Sequence, residues 1–350
     1  MPEQGGPIAV AVSGGGDSLA LMHLLAGYAG ARGLPAPIVL TVDHGLRPDS
    51  ARDARRVAGW AKAAGLKAHI LSWTDARPVR GVEAAAREAR YRLMGAWLAK
   101  KKIATLFVGH TLDDQAETFL LRLARGSGLD GLSAMRGLAP WPVEGFAGLS
   151  VARPLLGVGR AALRRYLTGI GQDWLDDPMN DDPAFDRVKM RRAAAALEAA
   201  GLSAARIAAA AAHLARARAA LEAMTQALLA RATHMSGDSL ALDAAALAAV
   251  PREVGLRALA AVLMAAGGQA YRPRFEALER LFDAIVTGRL KRGATLHGCR
   301  IAPAPRARQH FGAGTLLVTA ENARKKTSKN NDSAAAPGTA RRRRAVAGEP

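Results

Sequence analysis

The chain has 350 residues, half of them hydrophobic, which is long enough for two domains with cores of their own at about 150 residues per domain. Its 49 Lys+Arg against 30 Asp+Glu give +19; residues 321–350 carry eight Lys/Arg and three Asp/Glu, or +5, so the body keeps +14, which favours a polyanionic partner unless the surplus is only a bias of composition. The single cysteine, Cys299, excludes an internal disulfide framework and a cysteine-held zinc or iron–sulfur centre.

The start, MPEQGGPIAVAV, lacks a charged region followed by a long apolar run, so it does not read as a signal peptide. The most apolar helical stretch, Ile207–Leu229, is broken by His213, Arg216, Arg218 and Glu222 and cannot cheaply span a bilayer. A soluble, cytoplasmic protein with no membrane partner is expected.

In chain order, PIAVAV (7–12) reads as a strand and 17–30 as a helix. PIVLTVD (37–43) is the next strand, 50–65 the next helix and KAHILSW (67–73) a third strand. A long helix covers 82–102, TLFVGH (105–110) is a fourth strand and 112–125 a helix. This alternation predicts an α/β fold, a parallel twisted sheet with helices on both faces, and places ligands at the carboxyl ends of the strands. After about residue 130 come a Gly/Pro-rich passage (137–148), a short strand in LSVARPLL, a helix near 160–170 and an Asp-rich loop (173–186). From Val188 to about Gly288 the chain reads as mainly helical, with stops near Gly201, Gly237 and Gly267–Gly268. Residues 294–302 and 313–319 read as a short terminal strand pair, and 321–350 as a disordered basic tail. The expected boundaries are 1–135 for the nucleotide-binding core, 136–195 for a connecting segment that completes it, and 196–320 for a mainly helical second domain.

SGGGDS (13–18) lies between the first strand and the first helix. Glycines let a backbone approach an anion, the helix start offers N–H groups and partial positive charge, and Ser13 and Ser18 add hydroxyls. Asp17 would be costly beside phosphates unless a Mg²⁺ or a sugar or base donor offsets it. The loop is neither G-x-x-x-x-G-K-[ST] nor G-x-G-x-x-G, which argues against P-loop γ-phosphoryl transfer and against nicotinamide binding. Asp43, His44 and Arg47 end the second strand; Asp43 either hydrogen-bonds an adenosine or belongs to a polar turn capped at Asp49 or Ser50. In GHTLDDQAETF (109–119), Asp113 and Glu117 are one helical turn apart and repel unless a cation lies between them. The bland alternative is a first turn rich in acids that complements the helix dipole. His110 reads as a general base, a phosphate ligand or a satisfied strand-end histidine. Arg87 and Arg90 either face RNA phosphates or pair with Glu83 and Glu88. Arg187, Lys189, Arg191 and Arg192 form a dense basic turn that favours RNA contact, with Arg160, Arg164 and Arg165 as a weaker group of the same kind.

SGGGDS resembles the signature loop of the PP-loop ATP pyrophosphatases, which implies cleavage of ATP between the α- and β-phosphates. Together with DHGLRPDS, VEAAAREARYRLM, GHTLDDQAETFLLRLARGSG, RPLL, WLDDPMNDDPAFDRVKMRR and TLHGCRIAP, in that order, it resembles the tRNA(Ile)-lysidine synthases across about residues 7–320. Thr111 stands where many members have a second histidine, and the resemblance implies a chain without the additional β-rich C-terminal domain that longer members carry.

The resemblance implies ATP on Ser13, Gly14, Gly15, Gly16, Asp17, Ser18 and Asp43, with Mg²⁺ on Asp17 and Asp114. It implies a catalytic set of Asp17, His110, Asp113, Asp114 and Glu117, and tRNA contacts from Arg87, Arg90, Arg187, Lys189, Arg191 and Arg192. The implied partners are tRNA(Ile) with a CAU anticodon and free L-lysine, with a homodimer left open. The lone cysteine argues against the sulfur-carrying relatives of the same loop. A non-enzymatic RNA- or nucleotide-binding module is the reading from another class.

Overall fold

PIAVAV is apolar at nearly every position, a pattern that suits a strand covered on both faces. The computed structural model, which describes residues 6–75, 81–176 and 186–321, places it at the centre of a sheet. The chain divides into two compact units, Met1–Arg218 and Ala219–Pro350. In the first, strands β1 (Ala9–Ala11), β2 (Ile38–Asp43), β3 (Ala68–Ser72) and β4 (Thr105–Val108) alternate with helices α1 (Gly16–Ala31), α2 (Ser50–Ala63) and α3 (Val82–Lys101). Helices α4 (Leu112–Ala124) and α5 (Leu129–Leu132) follow, then β5 (Leu138–Pro140), β6 (Ser150–Ala152), α6 (Arg160–Gly169) and α7 (Asp186–Ala199).

The six strands run in the order β3-β2-β1-β4-β6-β5, all parallel except β5 against β6. Successive residues of β1 point to opposite faces. Val10 packs with Leu19, Met22, Val57 and Leu167 under α1, α2 and α6, whereas Ala9 packs with Leu40, Met94, Leu98 and Leu106 under α3. From β1 the chain steps one way to β2 and β3 and the other way to β4. The carboxyl ends of β1 and β4 therefore flank a topological switch point, where open α/β sheets form their ligand crevice.

Helix α8 (Ala204–Ala232) contains the division between the units, some twenty residues beyond the boundary expected near 196. Its Arg218 donates to the Asp130 carbonyl of the first unit at 3.4 Å, while Leu221, Leu228 and Ala232 belong to the core of the second. The second unit continues with β7 (Thr233–Ser236), β8 (Ser239–Asp243), α9 (Ala244–Ala248), α10 (Arg252–Gly267) and α11 (Phe275–Val286). It closes with β9 (Ala294–Leu296), β10 (Cys299–Pro303) and β11 (Thr315–Ala320). The expected terminal pair is present as β10–β11, with Ile301 opposite Val318, and belongs to a five-stranded antiparallel sheet ordered β7-β8-β11-β10-β9.

One expected helix stop is something else. Gly237, at φ +61°, is the first residue of the two-residue turn between β7 and β8, with Ser236 paired to Ser239. Helix α8 has already ended at Ala232, and a Gly-Asp turn with positive φ at its first position suits the twist of a hairpin. Cys299 is fully buried, its thiol donates to the Leu263 carbonyl at 3.3 Å, and burial pushes its pKa up, so it is a core residue that stays protonated. Among the described residues no helix is long and apolar enough to cross a membrane.

Candidate active site

The loop after β1 turns through Gly14, at φ +94°, into an α1 whose N-cap, Gly15, is extended and has no side-chain capping bond. An uncapped start of a sixteen-residue helix presents N–H groups and the positive end of the dipole to whatever lies in front of it. The two serines brace the loop from within. The Ser13 N–H donates to Ser18 Oγ at 3.2 Å, and the Ser18 hydroxyl donates to the Gly15 carbonyl at 2.9 Å. Two glycines are sterically obligatory. A Cβ on Gly14 would lie 2.5 Å from Leu175 Cδ1, and the Leu175 N–H donates to the Gly14 carbonyl at 2.9 Å. A Cβ on Gly109, just past β4, would lie 2.9 Å from the Asp17 carbonyl oxygen and from Ser18 Cα. Gly15 and Gly16 meet nothing closer than 3.7 Å, so their role is not one of close packing.

Opposite the loop, α4 opens with a capping box. The Asp114 N–H donates to Thr111 Oγ1 at 3.4 Å, while Asp114 Oδ2 accepts from the Thr111 N–H at 2.8 Å and from its hydroxyl at 3.0 Å. Thr111, fully buried, therefore works as the helix cap. The cation between the acids is Arg160. Its Nε donates to Asp17 Oδ2 at 3.1 Å and one terminal nitrogen to Asp114 Oδ1 at 3.2 Å, and the other lies 3.6 Å from Glu117 Oε1. The converging pair on the guanidinium is thus Asp114 and Glu117. Asp113 instead accepts the backbone N–H of Arg160 at 2.7 Å and so supplies the missing cap of α6.

Burial pushes the Asp17 carboxyl above its ordinary value; Arg160 opposes this and the nearby Asp114 and Asp113 add to it. Burial also works against the Arg160 charge, but Asp114, Asp17 and Glu117 outweigh it and raise its pKa. Asp17 Oδ1 is buried and has no hydrogen-bond partner among the described residues.

Loop and acid helix line one cavity of about 900 Å³. Ser13, Gly15, Gly16, Asp17 and Ser18 reach it from the loop, His110 and Asp114 from the end of β4 and the start of α4, and Arg87 and Arg90 from α3. His110 Nδ1 accepts from Arg153 Nε at 3.3 Å, which places the proton of a neutral ring on Nε2. Arg87 stacks over Tyr91 at 5.2 Å; of the two expected acids, Glu88 pairs with Arg92 at 2.8 Å and the Glu83 side chain lies outside the described residues.

Residues 2–197 match the family described as the PP-loop domain. The chain is 41% identical over 294 residues to a tRNA(Ile)-lysidine synthase of Ruegeria pomeroyi, covering 84% of this chain and 68% of that protein. It is 41% identical to the tRNA(Ile)-lysidine synthase of Hyphomonas neptunium, with 84% and 78% covered. With that of Methylobacterium nodulans it shares 40%, with 93% of each chain covered. The chain belongs to the tRNA(Ile)-lysidine synthase family.

Within that family frame the structure distributes the expected site residues unevenly. Gly14, Asp43, Asp113 and Glu117 are not part of the cavity lining. Asp43 Oδ1 accepts from the Gly45 N–H at 3.0 Å and the Ser50 hydroxyl at 2.5 Å, and the Ser50 bond holds its carboxyl below the ordinary range. Those bonds are the polar-turn arrangement that the sequence offered for Asp43. Asp49 makes no side-chain cap. For Mg²⁺ the fit is partial. Both oxygens of Asp114 are engaged, by Thr111 and by Arg160, whereas Asp17 Oδ1 is buried with no hydrogen-bond partner among the described residues. No group of three or more His, Cys, Asp or Glu among the described residues could hold a metal by itself.

The basic turn of Arg187, Lys189, Arg191 and Arg192 falls on α7, but those side chains lie outside the described residues, as do 177–185 and the tail from 322. Sequence reasoning assigned Arg160 to RNA and gave Gly109 and Arg153 no role. The Arg160–Asp17 bond joins residues 143 apart, and no local pattern announces it.

Proposed function

We propose that the chain uses ATP to join free L-lysine to the wobble cytidine of a tRNA(Ile) with a CAU anticodon, in the cytoplasm. The observation that carries the reading is the single cavity lined on one side by an uncapped helix start behind a glycine loop and on the other by Asp114 of the acid helix and two arginines of α3. The first side suits a triphosphate and the second a cationic amine and an RNA backbone.

In the reaction the 2-carbonyl oxygen of the cytidine attacks the α-phosphorus of ATP and pyrophosphate leaves. The ε-amine of lysine then attacks C2, the C2–O bond breaks, and the oxygen departs with AMP. The N-terminal N–H groups of α1 and the Ser13 hydroxyl hold the phosphates and stabilise charge growing on the leaving group. Asp17 Oδ1 is the protein oxygen offered to a Mg²⁺, which would supply further charge neutralisation when bound. Asp114, the acid-helix carboxylate in the cavity lining, orients the amine and accepts the proton it sheds on attack. Arg87 and Arg90 sit where the phosphates of an anticodon loop would pass, and His110 lines the same space.

The test is nucleoside mass analysis of tRNA(Ile) incubated with the protein, ATP and labelled lysine. A cytidine carrying one labelled lysine less one water, with stoichiometric AMP and pyrophosphate, is expected. Pyrophosphate release that ignores lysine or tRNA, or none under any combination, would leave a nucleotide- or RNA-binding module as the better reading.

A further inference from the structure

We propose that Arg160 is a positioning residue that serves as a built-in counter-cation, gathering Asp17 of the ATP loop and Asp114 and Glu117 of the acid helix into one cluster, and that the cationic end of the incoming lysine competes with it for Asp114. The inference rests on the lysine-joining reading above and deepens it. Three carboxylates from two helices meet on one guanidinium at 3.1, 3.2 and 3.6 Å, and their side chains are only 21%, 10% and 9% exposed. At such burial three like charges cannot stay close without a cation among them. Among the described residues the guanidinium is the positive group within ion-pair distance of all three.

Its placement is itself built in. Asp113 holds the Arg160 backbone N–H at 2.7 Å, so the same acid helix that needs the guanidinium fixes the start of the helix that carries it. Because Nε serves the ATP loop while the terminal nitrogens serve the acid helix, Arg160 ties the phosphate side of the cavity to the amine side. Both Arg160 and Asp114 line the cavity, so an ammonium group arriving there meets an acidic oxygen already held by a cation it resembles. An amine that takes Asp114 Oδ1 releases one arm of Arg160 and leaves Nε on Asp17. Lysine binding and loop geometry are thereby coupled through one side chain.

The experiment compares wild type, Arg160→Ala and Arg160→Lys in the full chain, with ATP, lysine and tRNA(Ile). Thermal melting of each variant runs in parallel. Arg160→Ala is expected to lower kcat for lysine addition on the order of 10²-fold through misplaced carboxylates, with a smaller change in KM for ATP. Sub-denaturing guanidinium chloride should restore most of that rate, while equal sodium chloride should not, and guanidinium should not activate the wild type. Arg160→Lys should keep an intermediate kcat, since one ammonium cannot match the fork that reaches three carboxylates.

Wild-type kcat in Arg160→Ala, or a loss in the folded variant that guanidinium does not restore, overturns the proposal. If Arg160→Ala fails to fold, Arg160→Lys decides: a folded variant with unchanged kcat overturns it, and a lowered kcat with KM for ATP nearly kept supports it. The two readings fail separately. A wild type that adds no lysine to tRNA removes the function, whereas a wild type that adds lysine beside indifferent Arg160 variants removes only the role given to Arg160.

Discussion

Gly109 is where the end of β4 passes closest to the start of α1, and the contact is backbone against backbone. A methyl group there would meet the Asp17 carbonyl oxygen and Ser18 Cα at 2.9 Å, and neither atom can rotate away. Gly109→Ala is therefore expected to push the loop off its position. It should cost about 1–3 kcal/mol, the usual range for overpacking, and raise KM for ATP. Gly59→Ala is the control: Gly59 is an exposed position inside α2 with open space around its Cβ, so alanine there should add roughly 0.5–1 kcal/mol. Thermal melts and ATP kinetics on the two variants check this, and equal behaviour would mean that the approach of β4 to α1 is not tight in solution. The loop glycines were legible in SGGGDS because strand, glycine run and helix are contiguous. Gly109 was quoted in its motif but not marked, since its constraint comes from residues ninety positions away.

At the scale of elements, α4 shows how one short segment carries structure and chemistry together. Its first turn is acidic, as helix starts commonly are, and the capping box accounts for Asp114 without reference to any substrate. Yet the cap also fixes where Asp114 Oδ1 points, because Oδ2 is tied to the Thr111 N–H and hydroxyl. Thr111→Ala should cost about 1 kcal/mol as a lost N-cap and lower kcat for lysine addition as well, whereas Thr111→Ser should keep both. Melting temperature and kcat measured on the pair test this, and a Thr111→Ala protein with unaltered stability would refute the cap. The strand–helix alternation of the first unit could be read from sequence because each strand is a short apolar run bounded by turn residues. The β7–β8 hairpin could not be read as easily. It directly continues an Ala-rich helix, its strands are four and five residues long, and Gly237 looks the same as a helix stop as it does as a turn. Likewise i and i+4 spacing pairs Asp113 with Glu117, but the direction of each side chain is set by α6, which no local periodicity reveals.

For the whole molecule the governing quantity is charge. Removing residues 322–350 takes away eight Lys/Arg and two Asp/Glu, or +6 of the +19, and leaves +13 on the remainder. Arg87 and Arg90 belong to that remainder and line the cavity, so under the proposed function the phosphates closest to the reacting base would be met by the body of the protein. Each phosphate neutralised contributes roughly 0.7–0.9 to the slope of log K against log salt concentration, depending on whether the strand is single or paired. A chain ending at Glu321 should therefore bind tRNA(Ile) more weakly at low salt, keep more than half of the full-length slope, and retain kcat once tRNA is saturating. Filter binding across a salt series, with lysine addition at saturating tRNA, measures both quantities. A slope that falls close to zero would locate the electrostatic contact in the removed segment and take the α3 arginines out of the RNA interface. An unchanged slope would assign the whole of the polyanion contact to the body and make the charge of the last residues irrelevant to recognition.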